Sequence, residues 1–170
     1  MKLKTLLLVA LFTIISVFTA QAQVAIDDPM SPPTLMEQTG LPGTLPVNMN
    51  LVKAGPSTFL IDAKGNSHFS CALSWIDLAV GEKMDLKAQV QKIADSEKDQ
   101  NTATIVTESY SGVTAYTLHR SFIAQGQIAY GMSSYVMYNN RVYAFHFGEN
   151  NNNAELEKMK NQILMSVFKK

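Results

Sequence analysis

Cysteine is nearly absent from this chain of 170 residues: Cys71 stands alone, so no disulfide can form within one molecule. Histidine is scarce, with only His68, His119 and His146, and Trp75 is the single tryptophan. A bias toward one sign of charge is missing too. Fourteen Lys and Arg face 14 Asp and Glu, and this balance excludes the strongly basic footprint that nucleic-acid binding requires. The spacings Cys-x-x-Cys, His-x-His, His-Glu-x-x-His and Gly-x-Ser-x-Gly do not occur, which removes the common zinc and serine-hydrolase signatures. After residue 22 no segment is apolar enough to span a bilayer.

What is present begins at the N-terminus. Lys2 and Lys4 precede an apolar run from Leu6 to Phe18, and Ala20-Gln21-Ala22 stands just before Gln23. A basic start, a short hydrophobic segment and small residues at the cleavage point read as a secretory signal peptide over 1–22, cut between Ala22 and Gln23. The run is too short for a membrane anchor, which needs about 20 apolar residues. Cleavage takes the basic count from 14 to 12 against 14 acidic residues, a net charge near −2. The expected product is an exported bacterial protein of the periplasm or extracellular space, held together by hydrophobic packing without disulfides.

Every proline except Pro56 lies between Gln23 and Pro46. The sequence reads there as an irregular leader, 23–46, with one or two helical turns after Ser31-Pro32 and a stop at Gly40. A single domain over 47–170 follows. Ser57–Asp62 and Ser67–Trp75 flank the turn residues Lys64-Gly65-Asn66 and predict a β-hairpin. Phe69, Cys71, Leu73 and Trp75 alternate with His68, Ser70, Ala72 and Ser74, which predicts one apolar and one polar face.

Leu86, Val90, Ile93 and Ala94 recur at helical spacing and predict an amphipathic helix over Met84–Lys98. Four strands then form a meander: Ala103–Ser109, Val113–Phe122, Gln127–Tyr138 and Arg141–Phe147. Asn139-Asn140 tolerates the positive φ of a two-residue turn. That turn sets Tyr138 opposite Arg141, Val136 opposite Tyr143, Ser134 opposite Phe145, Met132 opposite Phe147 and Ser133 opposite His146. Asn152 with Glu155 resembles a capping box before a helix striped by Leu156, Met159, Ile163 and Val167. The class is α+β: an antiparallel sheet, hairpin plus four-stranded meander, packed with two amphipathic helices.

Ser111-Gly112-Val113-Thr114-Ala115-Tyr116, the long strand ending at Tyr138, Asn140-Arg141-Val142-Tyr143-Ala144-Phe145 and the closing Ile163-Leu164-Met165-Ser166-Val167-Phe168-Lys169 together resemble the PsbP-like superfamily. That superfamily includes the extrinsic photosystem II subunit, the Ran-binding Mog protein and many small exported bacterial proteins. The resemblance implies an α/β/α sandwich. It transfers no binding residue, because members of the family bind different partners with different surfaces.

The candidate chemistry is thin. Cys71 and His68 are a thiol and an imidazole, but residues three apart on a strand point to opposite faces, so Cys71 is expected buried and inert. His68, His119 and His146 lack ligand spacing, so no metal or cofactor is expected. Ser133 and His146 face each other across strands, where such a pair ordinarily bonds to itself or to water. Asp62-Ala63-Lys64-Gly65-Asn66 is hairpin chemistry without the ligands of a calcium loop, and Asp27-Asp28 reads as a solvated pair.

Tyr110, Tyr116, Tyr130, Tyr135, Tyr138 and Tyr143 enrich the meander in tyrosine, most of it expected under the helices. Tyr138, Arg141 and Tyr143 at the last hairpin form the candidate interaction surface. The expectation is a non-catalytic binding or accessory domain whose partner is a protein or envelope component. The rival expectations are a small hydrolase or thiol enzyme using Cys71 or Ser133 with a histidine, and a carrier with a dry cavity between sheet and helix.

Overall fold

Among the described residues, short apolar runs between turn residues give seven strands, and two of three helices cover them. The structure is a computed structural model that describes residues 35–63, 69–97, 102–124, 126–150 and 152–169. The expected signal peptide, Asp27-Asp28, the turn residues 64–66 and His68 lie outside the described residues. The elements in chain order are α1 (Leu35–Thr39), β1 (Met49–Gly55), β2 (Thr58–Ala63), β3 (Phe69–Asp77), α2 (Leu86–Ser96), β4 (Thr102–Tyr110), β5 (Val113–Ala124), β6 (Gln127–Tyr138), β7 (Arg141–Asn150) and α3 (Asn153–Val167).

The strands form one antiparallel sheet in the order β1-β2-β3-β7-β6-β5-β4. The expected hairpin is β2–β3 and the expected meander is β4 to β7, and the two join where β3 pairs with β7. All five residue pairs expected across β6 and β7 are present, Ser133 opposite His146 among them. Asn139 and Asn140 have φ of +47° and +60°, the left-handed values that a tight hairpin turn demands. An additional strand, β1, precedes the hairpin and pairs with β2.

Both faces of the sheet are covered. On one, α3 lays Leu156, Ile163, Leu164, Val167 and Phe168 over Phe59, Cys71, Leu73, Trp75, Met132, Val136, Tyr143, Phe145 and Phe147. On the other, α2 buries Leu86, Val90, Ile93 and Ala94, and Leu118, Tyr135, Val142 and Ala144 are buried there too. The α/β/α layering follows. It also corrects the expected polar face of β3, because Ala72 and Ser74 are as buried as the apolar residues beside them.

The caps match their chemistry. Asp85 Oδ1 accepts from the Ala88 N–H at the start of α2, and Asn152 Oδ1 accepts from Ala154 and Glu155 at the start of α3. Among the described residues no helix is long and apolar enough to cross a membrane.

The packed unit begins well before Val47. Leu35 and Leu41 are buried in the core of the α3 face, and Thr39 is fully enclosed. Residues 41–46 run past the end of α3, where the Gly43 and Thr44 N–H groups donate to the Val167 and Ser166 carbonyls. The last carbonyls of a helix have no partner within it, so this segment serves as a cap supplied from a distance of more than a hundred residues in sequence. Residues 35–46 thus pack with the strands and helices that follow them.

Candidate functional site

At one end of the sheet, α1, the end of β3 and the β6–β7 turn enclose an open cleft of about 340 Å3, lined by Met36, Gly40, Asp77, Leu78, Asn139, Asn140, Arg141 and Tyr143. The turn is held rigidly. Asn140 donates from Nδ2 to the Leu78 carbonyl at 2.7 Å, and the Leu78 N–H donates to the Asn140 carbonyl at 2.9 Å.

Thr39, the last residue of α1, offers its carbonyl to two donors, Arg141 Nη1 at 3.0 Å and Tyr143 Oη at 2.8 Å. Gly40 follows with φ of +78°, and a Cβ there would lie 2.9 Å from Arg141 Nη1. The left-handed backbone favours glycine here, and a side chain would push the guanidinium aside.

Arg141 also pairs through Nε with Asp77 Oδ1 at 2.5 Å and sits 5.6 Å over the Trp75 ring. Its hydrogen bond with Asp77, above all, raises its pKa, so it is a permanent cation. Burial raises the pKa of Tyr143 and outweighs the opposing pull of Arg141.

The three residues expected on the interaction surface are placed differently. Arg141 is partly exposed at the cleft, and Tyr138 is half-buried, its ring tilted against that of Phe168 with centroids 6.0 Å apart. Tyr143 is fully buried, a correction that follows from its strand being covered on both faces. Met36, Asp77 and Leu78 line the cleft as well, brought there by α1 and the end of β3. Sequence periodicity carries no signal for that convergence, since these residues meet only when β3 pairs with β7.

Ser133 and His146 do meet, on the α2 face, at 2.8 Å between Oγ and Nδ1. Arg120 donates from Nη1 to the same Ser133 oxygen at 2.7 Å and grips Glu97, just past the end of α2, through Nε and Nη2. Which of Ser133 Oγ and His146 Nδ1 donates depends on the imidazole tautomer. Burial, then the positive charge of Arg120, lowers the His146 pKa to about 3. A catalytic base works best with a pKa near the operating pH, and this imidazole is far below it. A permanent cation on the serine oxygen completes a structural network.

Cys71 is fully buried on the opposite face, with its thiol pushed up by burial. His119 points to that α3 face as well, 3.4 Å from Glu157, so it does not converge with His146. No group of three or more potential metal ligands occurs among the described residues.

A second polar cluster lies under α3. Lys160 is fully buried, with Nζ 2.6 Å from Glu108 and 2.7 Å from Glu157. Thr117 donates to Glu108 at 2.6 Å. Burial pushes the Glu108 carboxyl up, but Lys160 and Thr117 outweigh it and hold the pKa below the ordinary value. This lysine is invisible to pattern reading, which takes a helix lysine as solvated.

The fold and these clusters define a small α+β domain with one open antiparallel sheet and an end cleft. No family model matches the sequence, and no curated protein matches it. Solved structures similar to it include LpqN, a protein involved in cell envelope biogenesis of Mycobacterium tuberculosis, with 14% identity, a TM-score of 0.48, and coverage of 83% of this chain and 85% of that one. Another is PA94 from Pseudomonas aeruginosa, a protein of unknown function, with 13% identity, a TM-score of 0.36, and coverage of 66% and 73%.

Proposed function

We propose that this chain is an exported accessory domain of PsbP-like type that binds a protein or other envelope component through its end cleft and performs no chemistry of its own. One observation carries the reading. The side chains a hydrolase or thiol enzyme would use are engaged within the fold, Cys71 and Ser133 buried and His146 half-buried against Ser133, whereas Met36, Asp77, Asn139 and Arg141 converge on an accessible cleft held by hydrogen bonds. A half-exposed, adaptable methionine beside an arginine already held by Asp77 and the Thr39 carbonyl suits recognition, because the thioether can shape itself to a partner and the guanidinium loses little freedom on binding. The space between sheet and α3 is filled by Phe145, Phe147, Ile163 and Phe168, which weighs against the carrier alternative.

Site-specific photo-cross-linking in the native envelope tests the assignment. A photoreactive residue at Asn139 is expected to give a discrete adduct, identifiable by mass spectrometry, that is absent when the probe replaces Lys92 on the exposed side of α2. Equal adducts from both positions, or none from Asn139, would refute the cleft.

A further inference from the structure

The two edges of the sheet are built differently. At one, β1 breaks register between Lys53 and Gly55, exposes Lys53, and lies between Pro46 and Pro56. Bulges, lysines and prolines are the usual devices that stop an edge from pairing with another chain. At the other edge, β4 runs nine residues in unbroken register with β5, without lysine, proline or glycine. Thr102, Thr104, Val106, Thr107 and Ser109 are exposed, Val106 by 42%.

The direction of the free backbone groups on β4 follows from its turn. Ser111 and Gly112, with φ of +50° and +83°, close a two-residue hairpin between Tyr110 and Val113. The pair flanking such a turn exchanges both backbone bonds, and the pattern alternates from there. Thr102, Thr104, Val106, Glu108 and Tyr110 therefore bond to β5. Ala103, Ile105, Thr107 and Ser109 present their N–H and C=O to the open edge.

We propose that β4 pairs with β4 of a second copy of this chain, antiparallel about a two-fold axis at Val106, to make one continuous sheet across a dimer. In that register Ala103 of one copy opposes Ser109 of the other and Ile105 opposes Thr107. All four outward residues of each strand are then bonded, and none is left over. Val106 meets Val106, and Thr104 meets Glu108.

Like charges never face each other, since Glu108 is the only charged residue in β4 and its carboxylate is already held by Lys160 and Thr117 of its own chain. A self-complementary edge fits a second copy without requiring a partner of another sequence, and a two-fold contact closes on itself. The blocked β1 edge ends growth at two copies. This inference does not rest on the end cleft, which lies by the β6–β7 turn.

Sedimentation and thiol cross-linking of the purified protein test it. The protein is expected to sediment as a dimer at tens of micromolar. Thr107→Pro removes one outward N–H without touching the β4–β5 ladder, and it is expected to weaken the dimer at least tenfold with an unchanged far-UV spectrum. Thr107→Lys, the kind of charge that natural edges carry, should do the same if the proline variant fails to fold.

The register has its own readout. Val106→Cys places two thiols on opposed Cα atoms about 4.5 Å apart, within disulfide reach, whereas Thr104→Cys leaves them about 14 Å apart. Mild oxidation should give covalent dimer from the first variant only, since Cys71 is fully buried. A monomer at about 100 μM, the weak end of specific association, a dimer indifferent to both Thr107 variants, or equal cross-linking at both positions would overturn the proposal.

Discussion

Protonation of His146 sets a direction for stability with pH. In the unfolded chain this imidazole titrates near the ordinary value of 6.5, while in the fold burial and Arg120 lower its pKa to about 3. Between those values the unfolded state binds the extra proton, so stability is complete above pH 6.5 and falls as pH drops toward 3, by up to about 1.4 kcal/mol per pH unit. His119, also lowered by burial, adds a loss of the same sign. His146→Gln should therefore flatten the pH dependence between pH 6 and 5 without abolishing it, read as urea midpoints at each pH. An unchanged slope would mean that the imidazole is not held neutral. The Ser133–His146 contact behind this prediction was legible in the sequence, because strand periodicity and the Asn139-Asn140 turn fix the register. Arg120 was not, because its role depends on Glu97 arriving from another element.

At the scale of elements, the segment before β1 is a working part of the fold. A Cβ on Gly43 would collide with the Ser166 and Val167 carbonyl oxygens at the end of α3, and backbone cannot step aside as a flexible side chain can. Gly43→Ala is expected to destabilise the protein by about 3 kcal/mol, measured by urea unfolding, with exposed Thr44→Ala within about 0.5 kcal/mol as control. A loss below about 1 kcal/mol at Gly43 would show that the segment is not seated on α3. Periodicity could not find this packing, since Leu35 and Leu41 belong to no regular repeat and prolines surround them. The same limit hid β1, an edge strand whose residues are mostly half-buried or exposed, without a clean alternation. By contrast α2, α3 and the meander carry long apolar stripes or firm turn residues, and they formed within a residue or a few of the expected bounds. Tyr143 was misplaced because the sequence shows which residues share a face but not that both faces of β7 are covered.

For the whole molecule the question is whether the β1–β2–β3 hairpin unit can open apart from the meander. Among the described residues only the β3–β7 ladder joins the two within the sheet, which suggests a weak seam. The core argues otherwise. Trp75 of β3 lies between Phe59 of β2 at 5.7 Å and Tyr143 of β7 at 6.2 Å, and Cys71 and Leu73 share one apolar cluster with Phe145, Phe147 and α3. Residues 41–46, tied to α3, lead directly into β1, so parting the seam would expose the cluster that also holds the helix. Opening there should cost as much as unfolding everything. Cys71 reports on this without any mutation, since its thiol is fully buried and unreactive in the fold. Its labelling by a thiol reagent, in the regime where closing outpaces reaction, measures the free energy of the opening that exposes it. That value is expected to equal the global unfolding free energy from urea and to fall in parallel with it on Gly43→Ala. A labelling value smaller by more than about 1 kcal/mol would identify the hairpin as a separate opening unit and place the weak seam at β3–β7.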